Sequence, residues 1–245
     1  MAQNIYDKQE FFDRYTSLRK SIEGLPAALE SPSMIAMIPD LQGRRALDLG
    51  CGLGWYCRQC CEHGASYVLG IDLSEKMLRR AQELTDDKRI EYKRADLEQL
   101  ILPEASFDFV VSSLAFHYIE NLSGLLAQIY RALNPGGQLL FSAEHPVFTA
   151  SMRSGCEWLT DESGRKVWPL DSYLMDGKRV KDYFSEKVVK IHRSLSTYMN
   201  LLINTGFTIT KFVEWTPNVK KIEAMPELAK ERDLSMFILI KVTKQ

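Results

Sequence analysis

Three glycines at alternate positions, Gly50, Gly52 and Gly54, close the segment ALDLGCGLGW (Ala46 to Trp55), and Asp48 stands two residues before the first of them. A glycine-rich turn between a strand and a helix lets backbone N–H groups approach a ligand closely. The dinucleotide fingerprint G-x-G-x-x-G does this for a pyrophosphate. Here the spacing is G-x-G-x-G, and Asp48 sets a carboxylate beside the turn. That charge opposes a pyrophosphate and suits a ligand carrying positive charge, so a cationic nucleoside fits better than NAD. Four histidines are available for proton transfer: His63 near a helix end, His117 after a fourth strand, His145 at the end of a fifth, and His192 at the opening of a late helix. The ends of strands four and five flank the mouth of such a fold, which makes His145 and His117 the candidate catalytic residues. A structural hydrogen bond stands as the alternative for each.

Cys57 and Cys60 form a C-x-x-C with Cys61 beside them. No second ligand pair follows at zinc-site spacing, so no metal is expected, and the three read as small apolar residues on a helix facing a sheet.

The elements that must position these groups alternate along the chain. RRALDLG (44–50) reads as a buried strand, and Trp55 to His63 as a helix ended by Gly64. SYVLGID (66–72) is a second strand, and Ser74 caps a helix with Met77, Leu78, Ala81 and Leu84 on one face. RIEYKRAD (89–96) alternates as a third strand, and FDFVVSSL (107–114) is the apolar run of a central parallel strand. Leu122, Leu125, Leu126, Ile129, Tyr130 and Leu133 mark a helix behind an Asn121 cap, with NPGG (134–137) as its stop, and QLLFSAE is the fifth strand. From Pro146 to about Ile191 no long periodic element is visible. A helix through Leu195, Tyr198, Met199 and Leu202, ended by Gly206, and the strands FTITKFVEW and MFILIKV complete the chain.

Strands alternating with helices predict an α/β fold: a Rossmann-like, doubly wound, mostly parallel seven-stranded sheet with the last strand antiparallel, and ligands beyond the carboxyl ends of the strands. A single domain is expected. Residues 1–43 form a helical lid, 44–145 the cofactor-binding core, 146–190 an insertion or cap, and 191–245 the rest of the sheet. With 31 Lys plus Arg against 32 Asp plus Glu, the net charge of −1 supplies no global field for nucleic acid or an anionic membrane. No stretch approaches the roughly 20 apolar residues that span a bilayer, and MAQNIYDKQE lacks the apolar core of a signal peptide. A cytoplasmic protein is the expectation.

LDLGCGLGW, GIDLSEKML, RADLEQL, SFDFVVSSLAFHYI and RALNPGGQLLFSAEHP, in this order from about Arg44 to Pro146, resemble the class I S-adenosylmethionine-dependent methyltransferases of the small-molecule type, with a weaker continuation through HRSLSTYMNLLINTGF. The resemblance implies S-adenosylmethionine as cofactor and S-adenosylhomocysteine as product. It further implies that Gly50, Cys51 and Gly52 pass the amino-acid part of the cofactor with Asp48 near its ammonium. Asp72, with Leu73 after it, would hold the ribose hydroxyls, and Asp96 and Leu97 the adenine, while Ser112, Ser113 and Leu114 would lie beside the methionine moiety. Tyr15 and Arg19 would contact the cofactor from an N-terminal lid helix. A helix cap for Asp72 and a solvated loop acid for Asp96 are the structural alternatives.

Amino methyltransferases of nucleic acids resemble one another in an Asn/Asp-Pro-Pro-aromatic tetrapeptide after the fourth strand, where this chain has SSLAFHY. A small-molecule methyl acceptor is therefore expected, with a peptide or a carboxylate as the open alternative, and a catalytic base is needed only where the acceptor must lose a proton. Phe148, Trp158, Trp168, Tyr173, Tyr183 and Phe184 in the insertion are candidate walls for that acceptor, or a satellite core holding the insertion to the sheet. A methyltransferase-like binding protein without turnover and an NAD(P)-linked oxidoreductase are the rival readings.

Overall fold

The computed structural model describes residues 3–153 and 158–245, with the side chains of Arg19, Lys20 and Pro26 left aside. Its strands are β1 (Arg45–Leu49), β2 (Tyr67–Asp72), β3 (Ile90–Arg94), β4 (Phe107–Ser113), β5 (Leu133–Glu144), β6 (Leu159–Thr160), β7 (Lys166–Val167), β8 (Gly177–Tyr183), β9 (Glu186–His192), β10 (Phe207–Trp215) and β11 (Phe237–Lys244). Its helices are α1 (Gln9–Thr16), α2 (Arg19–Glu23), α3 (Ser31–Ile35), α4 (Trp55–Glu62), α5 (Glu75–Glu83), α6 (Leu122–Ala132), α7 (Pro146–Thr149), α8 (Leu195–Thr205) and α9 (Val219–Ala224).

Seven strands form one sheet in the order β10-β11-β5-β4-β1-β2-β3. β3 to β5 run parallel, and the last strand, β11, lies antiparallel to both β5 and β10, as the sequence predicts. β1 and β4 are buried nearly throughout because helices cover both faces of the sheet. Alternation sends Leu47 and Leu49 of β1 into the layer that holds Leu126, Ile129 and Leu202 from α6 and α8. Ala46 faces the opposite layer, where Cys57, Cys60 and Cys61 of α4 pack with Val68 and Val111. Those thiols are buried and free, filling the role of small apolar residues. Cys156 lies outside the described residues.

Ser74, Asn121 and Ser194 cap their helices through side-chain acceptors, and Gly206 ends α8 in the left-handed region. The topology reverses between β1 and β4, so the glycine turn after β1 opens at the switch point.

Three expectations are corrected. The NPGG stretch does not separate α6 from its strand: β5 begins at Leu133, and Asn134 to Gly137 form an irregularity against Asp108, where Asn134 Nδ2 donates to the Asp108 carboxylate at 2.9 Å. The insertion is not without regular structure, because β8 and β9 pair over seven residues each as an antiparallel hairpin. Charged residues fill both strands, and little apolar alternation shows because the hairpin buries few side chains. His192 closes β9 rather than opening α8, whose cap is Ser194.

Candidate active site

The cofactor turn is built by backbone geometry. Gly50 and Cys51 N–H both donate to Ile71 O, at 2.8 and 3.0 Å, tying the turn to the neighbouring strand. Gly50, Gly52 and Gly54 all have positive φ, which L side chains adopt only with strain. A Cβ on Gly50 would come within 2.6 Å of the Ala115 side chain, whereas one on Gly52 would meet nothing within 4 Å. Gly52 therefore fronts open space, and that space is a cavity of about 490 Å³ at the carboxyl ends of the strands.

Tyr15, Asp48, Gly50, Cys51, Gly52, Asp72, Leu73, Asp96, Leu97, Ser113, Leu114 and His117 all line this cavity. Asp72 Oδ2 accepts Gly52 N–H at 2.8 Å, and Oδ1 accepts Ser74 N–H at 2.8 Å. One backbone bond per oxygen fixes the carboxylate and leaves lone pairs on both. Burial raises its pKa, against the lowering by these N–H donors. Asp48 is buried behind the turn, where the Cys57 thiol donates to its Oδ2 at 3.3 Å. Burial first, with the Asp72 charge adding to it, carries the Asp48 pKa up to about 7, opposed by the Cys57 bond. Asp96 Oδ1 caps the 3-10 turn Leu97–Gln99 by accepting Glu98 N–H at 3.0 Å. Leu114 is held at φ 53°, its N–H donating to Ser142 O at 3.0 Å.

Two expected residues lie off the cavity lining. Ser112 is fully buried, and its hydroxyl donates to Leu49 O at 2.7 Å, bracing β4 against β1; alternation turns Ser113 to the cavity instead. His145 does not line the cavity, and both ring nitrogens are engaged: Nδ1 accepts Val147 N–H at 3.1 Å as the cap of α7, and Nε2 meets Glu214 Oε1 at 2.9 Å. Its neighbour Glu144 takes the cavity side of the same strand end. Burial holds the His145 pKa below its ordinary value despite Glu214. His145 anchors the bend at the start of α7 through these bonds.

His117 is buried on the cavity wall, its Nδ1 accepting Glu144 N–H at 3.4 Å. The side chain of Arg19 lies outside the described residues. Of the insertion aromatics, Tyr183 reaches the cavity. Phe148, Trp158 and Trp168 stack on one another with centroids 4.5 and 5.6 Å apart, Tyr173 packs on His192, and Phe184 packs on Phe11, so those five form satellite packing.

Further lining residues come from segments without sequence periodicity. The N-terminal strap brings Asn4 and Tyr6, the chain before α3 brings Glu30, and β9 brings Lys190, paired with Glu144. Gln3 stitches the strap to β9 through Lys187 O and Val189 N–H, both at 2.8 Å. Asp7 clamps its other end onto α5, accepting from Ser74 Oγ at 2.5 Å and Lys76 N–H at 3.1 Å. Two buried polar atoms on the lining, Asn4 Oδ1 and Trp55 Nε1, have no protein partner. An unpaired buried donor and acceptor on residues of the lining are what a polar ligand would satisfy.

Residues 47–141 match a methyltransferase domain model. The solved structure of an S-adenosylmethionine-dependent methyltransferase from Mesorhizobium loti is 49% identical, superposes with a TM-score of 0.86, and covers 90% of this chain and 100% of its own. The chain belongs to the S-adenosylmethionine-dependent methyltransferases. A Listeria monocytogenes structure described as a putative member of the same family is 40% identical, with a TM-score of 0.83, over 91% of this chain and 99% of that one. A Haemophilus influenzae protein is 38% identical over 218 residues, 86% of this chain and 85% of its own. The malonyl-[acyl-carrier protein] O-methyltransferase of Erwinia billingiae is 43% identical over 102 residues, which is 41% of this chain and 39% of that enzyme. The cofactor of this methyltransferase is S-adenosylmethionine, and the glycine turn opens onto the cavity at Gly52. No helix among the described residues is long and apolar enough to cross a membrane.

Proposed function

We propose that this methyltransferase transfers the methyl group to a small molecule enclosed in the 490 Å³ cavity. The observation that carries this reading is the lining: the strap around Asn4 and Tyr6 and the hairpin strand around Val189 and Lys190 wall the same cavity as the glycine turn and are bonded to each other through Gln3. A cavity walled by these segments favours a small molecule, or the tip of a flexible arm, over a duplex or a folded protein surface. The acid-rich lining and the net charge of −1 also disfavour nucleic acid.

Within this reading Gly50, Cys51 and Gly52 face the amino-acid part of the cofactor with Asp48 behind them. Asp72 and Leu73 hold the ribose, Asp96 and Leu97 the adenine, and Ser113 and Leu114 flank the methionine moiety, while Tyr15 closes the lid. Bound there, the sulfonium supplies an electrophilic methyl group for in-line displacement. The chain's own task is to align acceptor and methyl and to exclude water. The whole chain acts as one domain, with 1–43 and 146–190 covering the core of 44–145 and 191–245, and the free buried thiols suit a reducing cytoplasm.

Calorimetry with S-adenosylmethionine and S-adenosylhomocysteine tests the cofactor half. Asp72→Ala should lose about 1.5–3 kcal/mol, roughly ten- to a hundredfold in affinity, for the lost charge-assisted bond. Unchanged affinity in a folded variant removes Asp72 from the site. Screening metabolite pools for transfer of labelled methyl groups tests the acceptor half, and transfer only to a macromolecule refutes it.

A further inference from the structure

Beyond the strand ends assigned to the cofactor, five tyrosines line the cavity: Tyr6, Tyr15, Tyr56, Tyr118 and Tyr183. Tyr6 and Tyr15 meet edge to face, with centroids 5.1 Å apart and planes at 88°, so they form two perpendicular walls of one corner. Carboxylates outnumber cations on the cavity lining. Glu30, buried, and Glu144 line the same cavity, while the cations on the described lining, Lys178 and Lys190, are held by Glu120 at 2.9 Å and by Glu144.

Burial and nearby carboxylates act in the same direction on Tyr15 and Tyr118. Burial first, then the charges of Asp72 and Glu30, lifts the Tyr15 pKa to about 12. Burial, with Glu144 next, raises Tyr118 still further. These phenols stay neutral, so they present ring faces and hydroxyls rather than bases.

We propose that the acceptor is an amine, seated with its nitrogen in the corner formed by Tyr6, Tyr15 and Tyr118. The inference deepens the small-molecule reading and rests on it. Methyl transfer to a neutral amine conserves one positive charge inside the cavity. The free ammonium first gives its proton to solvent; the nitrogen lone pair then forms the N–C bond as the C–S pair withdraws to sulfur, leaving a thioether and a methylated ammonium. Charge therefore moves from sulfur to nitrogen, and aromatic faces in a negative field stabilise it where it arrives. A carboxylate acceptor would instead add an anion to a lining whose described lysines are already paired. With solvent taking the ammonium proton before transfer, the step does not call on His145, which is off the lining.

The test uses the full-length protein saturated with S-adenosylhomocysteine and titrates benzyltrimethylammonium against 3-phenylpropionate by calorimetry. In parallel, phenethylamine, 3-phenylpropionate and 2-phenylethanol compete for labelled methyl groups from S-adenosylmethionine. The ammonium should bind at least tenfold tighter than the carboxylate. Tyr118→Leu should erase most of that preference and Tyr118→Phe, which keeps the ring, should retain it. Any methyl transfer detected should go to the amine. Equal or tighter binding of the carboxylate, no binding of the ammonium, or methylation of the acid or alcohol in preference to the amine overturns the amine assignment while leaving the cofactor reading intact. Failure to bind S-adenosylhomocysteine at all removes the reading beneath it, and the amine assignment with it.

Discussion

Gly52 and Gly54 stand two residues apart in one turn, yet the structure assigns them different jobs, and replacing each by alanine separates ligand binding from folding. Both adopt positive φ, 51° and 73°, so a Cβ costs about 1–2 kcal/mol of backbone strain at either site. For a domain of this size that lowers the melting temperature by roughly 2–8 °C. At Gly52 nothing further is lost in the free protein, because a Cβ there meets no atom within 4 Å. It does project toward the cavity, and a ligand packed against the turn would have to move or lose the Gly52 face; a hundredfold loss of affinity corresponds to about 2.7 kcal/mol. At Gly54 a Cβ would overlap the Tyr92 hydroxyl, which is packed beside α4 and bonded to Thr85, and Gly54 is not on the cavity lining. Gly54→Ala should therefore lose more stability than Gly52→Ala, and at temperatures where both are folded it should keep more of its S-adenosylhomocysteine affinity. Scanning calorimetry gives the first quantity and titration calorimetry the second. Gly52→Ala binding within twofold of the parent would falsify the placement of the cofactor on this turn.

Asp48, with its pKa raised to about 7 by burial, keeps a proton in the folded chain that the unfolded chain gives up at ordinary carboxylate pH. Stability should accordingly fall as pH rises from about 4 toward 7, and Asp48→Asn should flatten that slope in urea titrations; an unchanged slope rules out Asp48 as its source. His145, with its pKa lowered, contributes stability that is present above the ordinary histidine value and lost as pH falls through the folded value, so His145→Ala should lower stability while cofactor affinity and any acidic limb in kcat persist. Loss of turnover at full stability would return His145 to catalysis. Asp7→Ala removes acceptors for Ser74 Oγ and Lys76 N–H, loosening the strap; stopped-flow measurement should show S-adenosylhomocysteine leaving about tenfold faster, as expected for roughly 1.4 kcal/mol of lost closure. An unchanged release rate means the strap is not the gate.

The sheet and its glycine turn were legible in the sequence because their signals are local. Apolar runs such as FDFVVSS mark strands buried on both faces, glycines mark positive φ, and Ser74 and Asn121 mark helix starts, and the structure places each where the spacing predicts. Asp48, Asp72 and Asp96 reach one cavity because parallel strands end at one edge, which strand order alone requires. What only the tertiary structure decided is the side-chain side taken at the strand ends and the origin of the cover. One residue along a strand reverses direction, so Ser113 and Glu144 face the cavity while Ser112 and His145 turn into hydrogen bonds elsewhere. The hairpin of β8 and β9 and the strap carry no apolar period because they bury little of their surface; Gln3, Asn4, Tyr6 and Lys190 reach the site through contacts spanning up to 186 residues of sequence, which no local pattern encodes.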